Sequence, residues 1–323
     1  MTVYISDLLV CIFSDNLDTL DRIVKHNYPQ KIVDDSDRLI TPYFQFIFYY
    51  FSFFVKVSGS SVMVENFKLK EITMVNKVAW ITGAGSGIGE ASAIKLSEEG
   101  FIVVLSGRTK QALDSVASKC EGQASVKPLD VANSEDVKGV FKNIISDYGR
   151  IDVLVASAGL NVKNRNWHNV SDEDFDQIIR IDLNGVFYTN RLVLEKMKKQ
   201  REGLIINISS WAGKYVTTLT GPAYTAAKHG VNALTEGINM EAGHFGVRAC
   251  ALCPGEVATP ILDKRPIPVS KEDKEKMVQP EDCAETVAFL AKLPPRVCIN
   301  EITISPTWNR LYVAGLTDQI PKK

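Results

Sequence analysis

This chain of 323 residues has no excess of basic charge: 37 lysines and arginines face 38 aspartates and glutamates, for a net charge of −1. Nucleic-acid binding therefore has no electrostatic footprint in it. It also lacks an apolar run long enough to cross a bilayer as a helix. The most apolar stretch, Tyr43 to Val57, has 15 residues against the ~20 required, and Gln45, Ser52 and Lys56 interrupt it. That stretch also starts too late in the chain for a secretory signal. Six cysteines are too few for a disulfide scaffold of this length. Cys250-Ala-Leu-Cys253 matches C-x-x-C, but it follows a strand-like segment instead of opening a helix, and no second pair completes a four-cysteine zinc site. The cysteines read as packing residues, no metal site is expected, and reduced thiols without a secretory signal fit a cytoplasmic protein.

A more local absence divides the chain. Residues 1–73 contain no alanine, although alanine is frequent afterwards, and they hold 13 of the 28 aromatic residues. They show neither a 3.6-residue nor a 2-residue hydrophobic period. An interfacial anchor, a poorly ordered extension and sequence upstream of the true start all fit this composition. The last is favoured, because Met74-Val-Asn-Lys-Val begins a complete domain, with Met63 as a second possible start. Residues 1–73 are accordingly expected to be an atypical, dispensable extension, and residues 74–323 the working domain.

From Lys77 onward, short apolar strands alternate with amphipathic helices, the pattern of an α/β protein with a parallel sheet. Val78-Ala-Trp-Ile-Thr82 runs into Gly83-Ala-Gly-Ser-Gly-Ile-Gly89 and then a helical pattern. Glycines let the backbone turn tightly and approach a pyrophosphate, which then meets the free N–H groups of a helix start. The second strand, Phe101 to Leu105, ends in Ser-Gly-Arg108-Thr with no carboxylate. An acidic residue there bonds the ribose hydroxyls of NAD, whereas the Arg108 guanidinium suits a 2′-phosphate, so NADP is favoured over NAD. Further strands are expected at Ala124–Leu129, Ile151–Ala156, Leu204–Ile208, Val247–Leu252 and Glu301–Ser305. A helix is expected at 134–148 with Asn133 or Ser134 as its cap, and a long helical region at 171–199 interrupted at Asn184-Gly185. The charged, proline-punctuated segment from Ile261 to Gln279 has the composition of a lid or a solvated loop.

The reactive stretch is Tyr224-Thr-Ala-Ala-Lys228, which sits at the start of a helical pattern opened by Pro222. Positions i and i+4 share a helix face, so the phenol and the ammonium look the same way. A phenol is a poor acid–base group near neutrality, and a neighbouring ammonium favours its ionised form. Ser210, delivered by the end of the fifth strand, is placed to hold a substrate oxygen against the phenol. Strand ends are where ligands bind in open α/β sheets.

Taken together, these residues resemble the short-chain dehydrogenase/reductase family over Met74 to about Arg310. Thr82, Gly83, Ser86, Gly87, Ile88 and Gly89 are similar to its cofactor turn, and Asp130-Val131 to its adenine contact. Asn184 is similar to its structural and proton-relay asparagine, and Ser210, Tyr224 and Lys228 match its catalytic serine, tyrosine and lysine. Pro254, Gly255, Val257 and Thr259 resemble the segment that holds the nicotinamide amide, and Ala156 and Gly159 offer backbone contacts. The resemblance implies a seven-stranded, doubly wound Rossmann sheet and a homodimer or homotetramer. It also implies hydride transfer between NADP(H) and a small-molecule carbonyl or secondary alcohol, with Lys228 also binding the nicotinamide ribose.

Two positions depart from the pattern. The fourth strand ends Ala156-Ser-Ala-Gly159 where the family usually has Asn-Asn-Ala-Gly, and Cys253 replaces a common asparagine before Pro254. Both bear on cofactor affinity more than on chemistry. The C-terminal stretch resembles both 3-oxoacyl-carrier reductases and 3-hydroxy-acid dehydrogenases, and the sequence does not separate them. Trp211, Tyr215, Trp167 and His168 are candidates for an aromatic pocket. A non-catalytic NADP-binding sensor or scaffold is the alternative reading, against which Tyr224 and Lys228 stand.

Overall fold

The computed structural model describes residues 77–313. The extension at 1–73 and the start at Met74 lie outside the described residues. Seven strands form one sheet in the order β3-β2-β1-β4-β5-β6-β7, every neighbouring pair parallel. They are β1 Val78–Thr82, β2 Ile102–Ser106, β3 Ala124–Val126, β4 Val153–Ala156, β5 Gly203–Ile208, β6 Val247–Pro254 and β7 Glu301–Ile304. The chain winds outward in both directions from β1, and the crevice at the C-terminal ends of β1 and β4 is where such a sheet accepts a ligand. The doubly wound seven-stranded sheet expected from the sequence is therefore observed.

The helices are α1 Gly87–Glu98, α2 Lys110–Ala117, α3 Ser134–Tyr148, α4 Asp172–Ile179, α5 Gly185–Gln200, α6 Pro222–Ala242, α7 Lys271–Glu275, α8 Pro280–Lys292 and α9 Arg310–Val313. Strand alternation sorts side chains onto two buried faces. Ala79, Ile81, Val103, Leu105, Val155 and Ile206 face Leu96 of α1, Leu113 of α2 and Val287 and Leu290 of α8. Trp80, Val104, Leu154 and Ile205 face Val137 and Ile144 of α3, Val193 and Met197 of α5 and Ile238 of α6. Trp80, wholly buried in β1, donates its indole N–H to Ser106 Oγ at 3.0 Å, so the polar group of its side chain is satisfied.

Two segments differ from the sequence expectation. β3 stops at Val126, three residues short, because Pro128 has no N–H to donate, although Leu129 N still reaches Gly107 O at 2.9 Å. The long region 171–199 is two helices joined by a π-helical turn, Arg180–Asn184, where the Asn184-Gly185 interruption was expected. The cap of α3 is Asn133, whose side chain accepts the N–H groups of Glu135 and Asp136. No helix among the described residues is long and apolar enough to cross a membrane.

Candidate active site

A cleft of about 620 Å³ runs along the C-terminal ends of the strands. Of the residues expected there, Gly83, Ser86, Gly87, Ile88, Arg108, Asp130, Val131, Gly159, Ser210, Tyr224, Lys228, Pro254, Gly255, Val257 and Thr259 line it. Thr82, Gly89 and Ala156 stand behind the lining. Thr82 is buried at the end of β1, where its hydroxyl lies 3.4 Å from Ala158 N. Ala156 is buried at the end of β4.

The β1–α1 turn needs its glycines for two separate reasons. Gly83 has φ +66°, in the left-handed region, and a Cβ there would lie 2.7 Å from Ala158 N. A Cβ on Gly89 would run into the Gly83 carbonyl, so bare backbone sets the approach of α1 to the turn. The wall that results is backbone at the start of α1, with its first N–H groups free of intrahelical partners. A dinucleotide pyrophosphate fits such a wall. Arg108 is exposed beside it at the end of β2, and the Asp130 carboxylate accepts the Ala132 N–H at 3.0 Å.

The reaction end is built differently. Pro222 and Ala223 open α6 on Gly221, which puts Tyr224 in its first turn and Lys228 one turn on. Lys228 is buried; its Nζ donates to Ile208 O at 2.9 Å and lies 5.4 Å from the centre of the Tyr224 ring. Ser210 follows β5 in extended conformation, and its Oγ accepts the Ala212 N–H at 3.1 Å, which fixes the hydroxyl. The neighbouring Ser209 hydroxyl donates to the Lys228 carbonyl at 3.2 Å, tying the end of β5 to α6.

Asn184 is not brought into this constellation. It is the last residue of the π turn, half-buried and off the cleft lining. The polar side chain that this turn sends toward Lys228 is Asp182, two residues earlier. Asp182 is wholly buried; its Oδ1 accepts the Leu160 N–H at 2.9 Å, and its Oδ2 faces Lys228 Nζ across 3.8 Å with no hydrogen bond to it. Burial pushes the Asp182 carboxyl up to about 6, against the opposing pull of Lys228 and the Leu160 N–H. A Cβ on Gly159 would lie 3.3 Å from Asp182 Oδ2 and 3.6 Å from Lys228 Nζ, so the missing side chain keeps a gap beside both charges.

Four further groups escape a reading of the sequence. Glu256 lines the cleft just after β6 and is held by Arg265 (2.7 Å) and by both Nε (2.9 Å) and Nη2 (2.6 Å) of Arg310. These two arginines hold the Glu256 carboxyl below the usual range although burial opposes them. Arg310 thereby anchors α9 against the segment after β6. Arg165 is the fourth; it lines the cleft and is only 5% exposed. The signal for Asp182 is a carboxylate between Ile181 and Leu183; nothing local marks Arg165, Arg265 or Glu256.

The segment 261–279 holds a 3₁₀ turn at Pro260–Lys264 and the short α7, and Val278 pairs with Val257 in an isolated bridge. Ile261, Leu262, Lys264 and Arg265 form part of the cleft wall. Trp211 also lines the cleft, stacked 4.7 Å from Tyr215 and edge-on 5.6 Å from Tyr312. Trp167, 85% exposed, and His168 stay outside the lining. Cys250 and Cys253 are free, buried thiols on β6; burial pushes both up, Cys250 to about 12, far from the thiolate range. Among the described residues no cluster of potential metal ligands occurs.

A profile of the short chain dehydrogenase family matches residues 77–267. The chain belongs to that family. An uncharacterised oxidoreductase of Staphylococcus aureus (strain USA300) is 37% identical over 235 residues, 72% of this chain and 98% of the relative. Among solved structures, an alcohol dehydrogenase from the archaeon Thermococcus sibiricus, complexed with 5-hydroxy-NADP, superposes with a TM-score of 0.65 at 32% identity, covering 72% of this chain and 98% of its own. A 3-ketoacyl-(acyl-carrier-protein) reductase from Brucella melitensis, complexed with NADH, gives 0.65 at 30% identity, with 71% and 96% covered. This short-chain dehydrogenase is thus an oxidoreductase whose structural relatives include complexes with both forms of the nicotinamide dinucleotide.

Proposed function

We propose that this short-chain dehydrogenase interconverts a small-molecule carbonyl compound and its secondary alcohol with NADP(H). The observation that carries the reading is the convergence of Ser210, Tyr224 and Lys228 on one cleft beside the glycine turn. The backbone wall at Gly83, Ser86 and Gly87 would hold the pyrophosphate, Asp130 and Val131 the adenine side, and Pro254, Gly255, Val257 and Thr259 the nicotinamide amide. When bound, the nicotinamide supplies or accepts the hydride.

The chain's own share is orientation and proton handling. Ser210 Oγ, fixed by Ala212 N–H, bonds the substrate oxygen and aims it at the Tyr224 phenol. In the reducing direction Tyr224 gives its proton to that oxygen, and in the oxidising direction it takes one. Lys228, 5.4 Å from the ring centre, places a positive charge beside the phenolate left behind, and it would also hold the ribose of a bound nicotinamide cofactor. Beside Gly159, the wholly buried Asp182 carboxylate faces Lys228 Nζ across 3.8 Å and balances the charge of that lysine.

Arg108 supports NADP over NAD, since an exposed guanidinium at the end of β2 suits a 2′-phosphate. A carbonyl-substrate screen followed by NADPH absorbance, with Tyr224→Phe as the blank, tests the whole reading. Oxidation of NADPH by the parent and not by the variant is expected; equal rates would overturn it.

A further inference from the structure

We propose that Arg165 forms a carboxylate-binding subsite in the reaction end of the cleft, so that the substrate is a keto acid or the corresponding hydroxy acid. The inference rests on the reading of Ser210, Tyr224 and Lys228 as the reaction centre, and it names the substrate class for that centre.

Arg165 lies in the loop between β4 and α4, and the fold brings it to the mouth of α6. A Cβ on Gly221, the residue capping α6, would land on the Arg165 carbonyl oxygen, so the two backbones touch three residues before Tyr224. The residue lines the cleft and is all but sealed from bulk solvent. One of its nitrogens, Nη2, donates to Lys264 O at 2.6 Å. Its Nε is buried with no hydrogen-bond partner among the described residues. Burial and the neighbouring Arg265 hold its guanidinium below the usual range, and among the described residues it makes no ion pair with a carboxylate.

A buried guanidinium without an anion is costly, because removing the charge from water is repaid only by a paired opposite charge. The one carboxylate lining this end among the described residues, Glu256, is already gripped by Arg265 and Arg310. Asp182 is spent on Leu160 N–H and Lys228 on the far side of Gly159. Lys228, Lys264 and Arg265 leave the same wall rich in positive charge. An incoming carboxylate is the group this wall lacks, and its two oxygens match the planar guanidinium fork of Arg165 where that residue borders the cleft. Ser210 and Tyr224 in the same cleft would then hold the carbonyl or hydroxyl of that molecule. A neutral thioester or ester offers the fork no charge and would leave the guanidinium unpaired, which is how a polar site rejects a substrate lacking its partner group.

The test uses 3-hydroxybutanoate and its methyl ester, which replaces the negative charge with one methyl group. Turnover with NADP+ is measured on the parent. Binding of each compound is measured by calorimetry on Tyr224→Phe loaded with NADP+, which keeps the subsite question separate from the chemistry. The acid is expected to bind about ten- to a hundredfold more tightly than the ester, the range of a charge-assisted bidentate contact. In Arg165→Gln the preference should shrink to within twofold, and in Arg165→Lys, which keeps the charge and loses the fork, it should fall between. Acid binding no tighter than the ester, including no binding of either, overturns the proposal. So does a preference unchanged in Arg165→Lys, which decides the matter even if Arg165→Gln does not fold. Tight, Arg165-dependent acid binding with turnover unaltered by Tyr224→Phe would instead overturn the reaction centre and leave the subsite standing.

Discussion

At the β1–β2 side the cleft wall is backbone: the turn from Gly83 to Gly89, the first N–H groups of α1, and one exposed arginine, Arg108. At the β5–β6 side it is buried charge: Lys228 against Asp182, Glu256 between Arg265 and Arg310, and Arg165 with no counter-ion among the described residues. The first wall works by shape and by fixed N–H dipoles, so it depends on which residues have no side chain. The second works by charges taken out of water, whose interactions are stronger and whose imbalances are more costly. One end should therefore respond to bulk and ionic strength, the other to pH and to the loss of single polar atoms.

The largest break in that contrast is expected at Tyr224. Replacing it with phenylalanine keeps the ring and removes the proton, and turnover should drop by ~10²–10⁴, as for a lost general acid. Cofactor affinity, read by fluorescence titration, should stay near the parent value because the backbone wall is untouched. A proportionate fall in both would mean that the two ends are not separable.

Next in size is Asp182. Its folded value, about 6, lies above the ordinary 3.8, so the folded state keeps a proton that the unfolded chain has lost. The contribution is present in full below 3.8 and disappears as pH rises to about 6, so stability should fall across that window. The drop is on the order of 3 kcal/mol at 1.36 kcal/mol per unit of pKa. Denaturant unfolding of the parent and of Asp182→Asn between pH 4 and 7 measures it, and the variant should lack this fall. Parallel pH profiles would show that Asp182 does not titrate in the window.

Arg108 tests the other wall. Arg108→Ala should weaken NADPH by about ten- to a hundredfold, the range of a charge-assisted phosphate contact, while NADH changes little. The NADPH effect should shrink with added salt because the side chain is exposed. Equal losses for both dinucleotides would make Arg108 a bystander. The smallest effect belongs to Trp167, which stands off both walls: Trp167→Ala should leave turnover within twofold and shift stability by less than about 0.5 kcal/mol.

Much of this was legible because it is local. An apolar strand running into Gly83–Gly89 and then a helix has one structural outcome, since the glycine spacing, the strand run and the helix period all fall within some 20 residues. The placement of Tyr224 and Lys228 is just as local, being one helical turn after Pro222. Even the break at Asn184-Gly185 could be foreseen, as poor helix formers in a long helical pattern. Its consequence could not: the π turn carries Asp182 to the lysine. An extra residue in a turn rotates which side chain faces inward, and no local pattern records that rotation.

The sequence by itself determined the order of strands and helices, the glycine turn, and the spacing of Ser210, Tyr224 and Lys228, because each depends on residues a few positions apart. The tertiary structure alone decided which charges meet. Asp182 and Lys228 are 46 positions apart, Arg165 meets the Lys264 carbonyl across 99, and Glu256 meets Arg310 across 54. Those meetings fix which groups are paired and which are left wanting a partner. Burial strengthens electrostatic pairing and penalises its absence, and burial belongs to the fold as a whole.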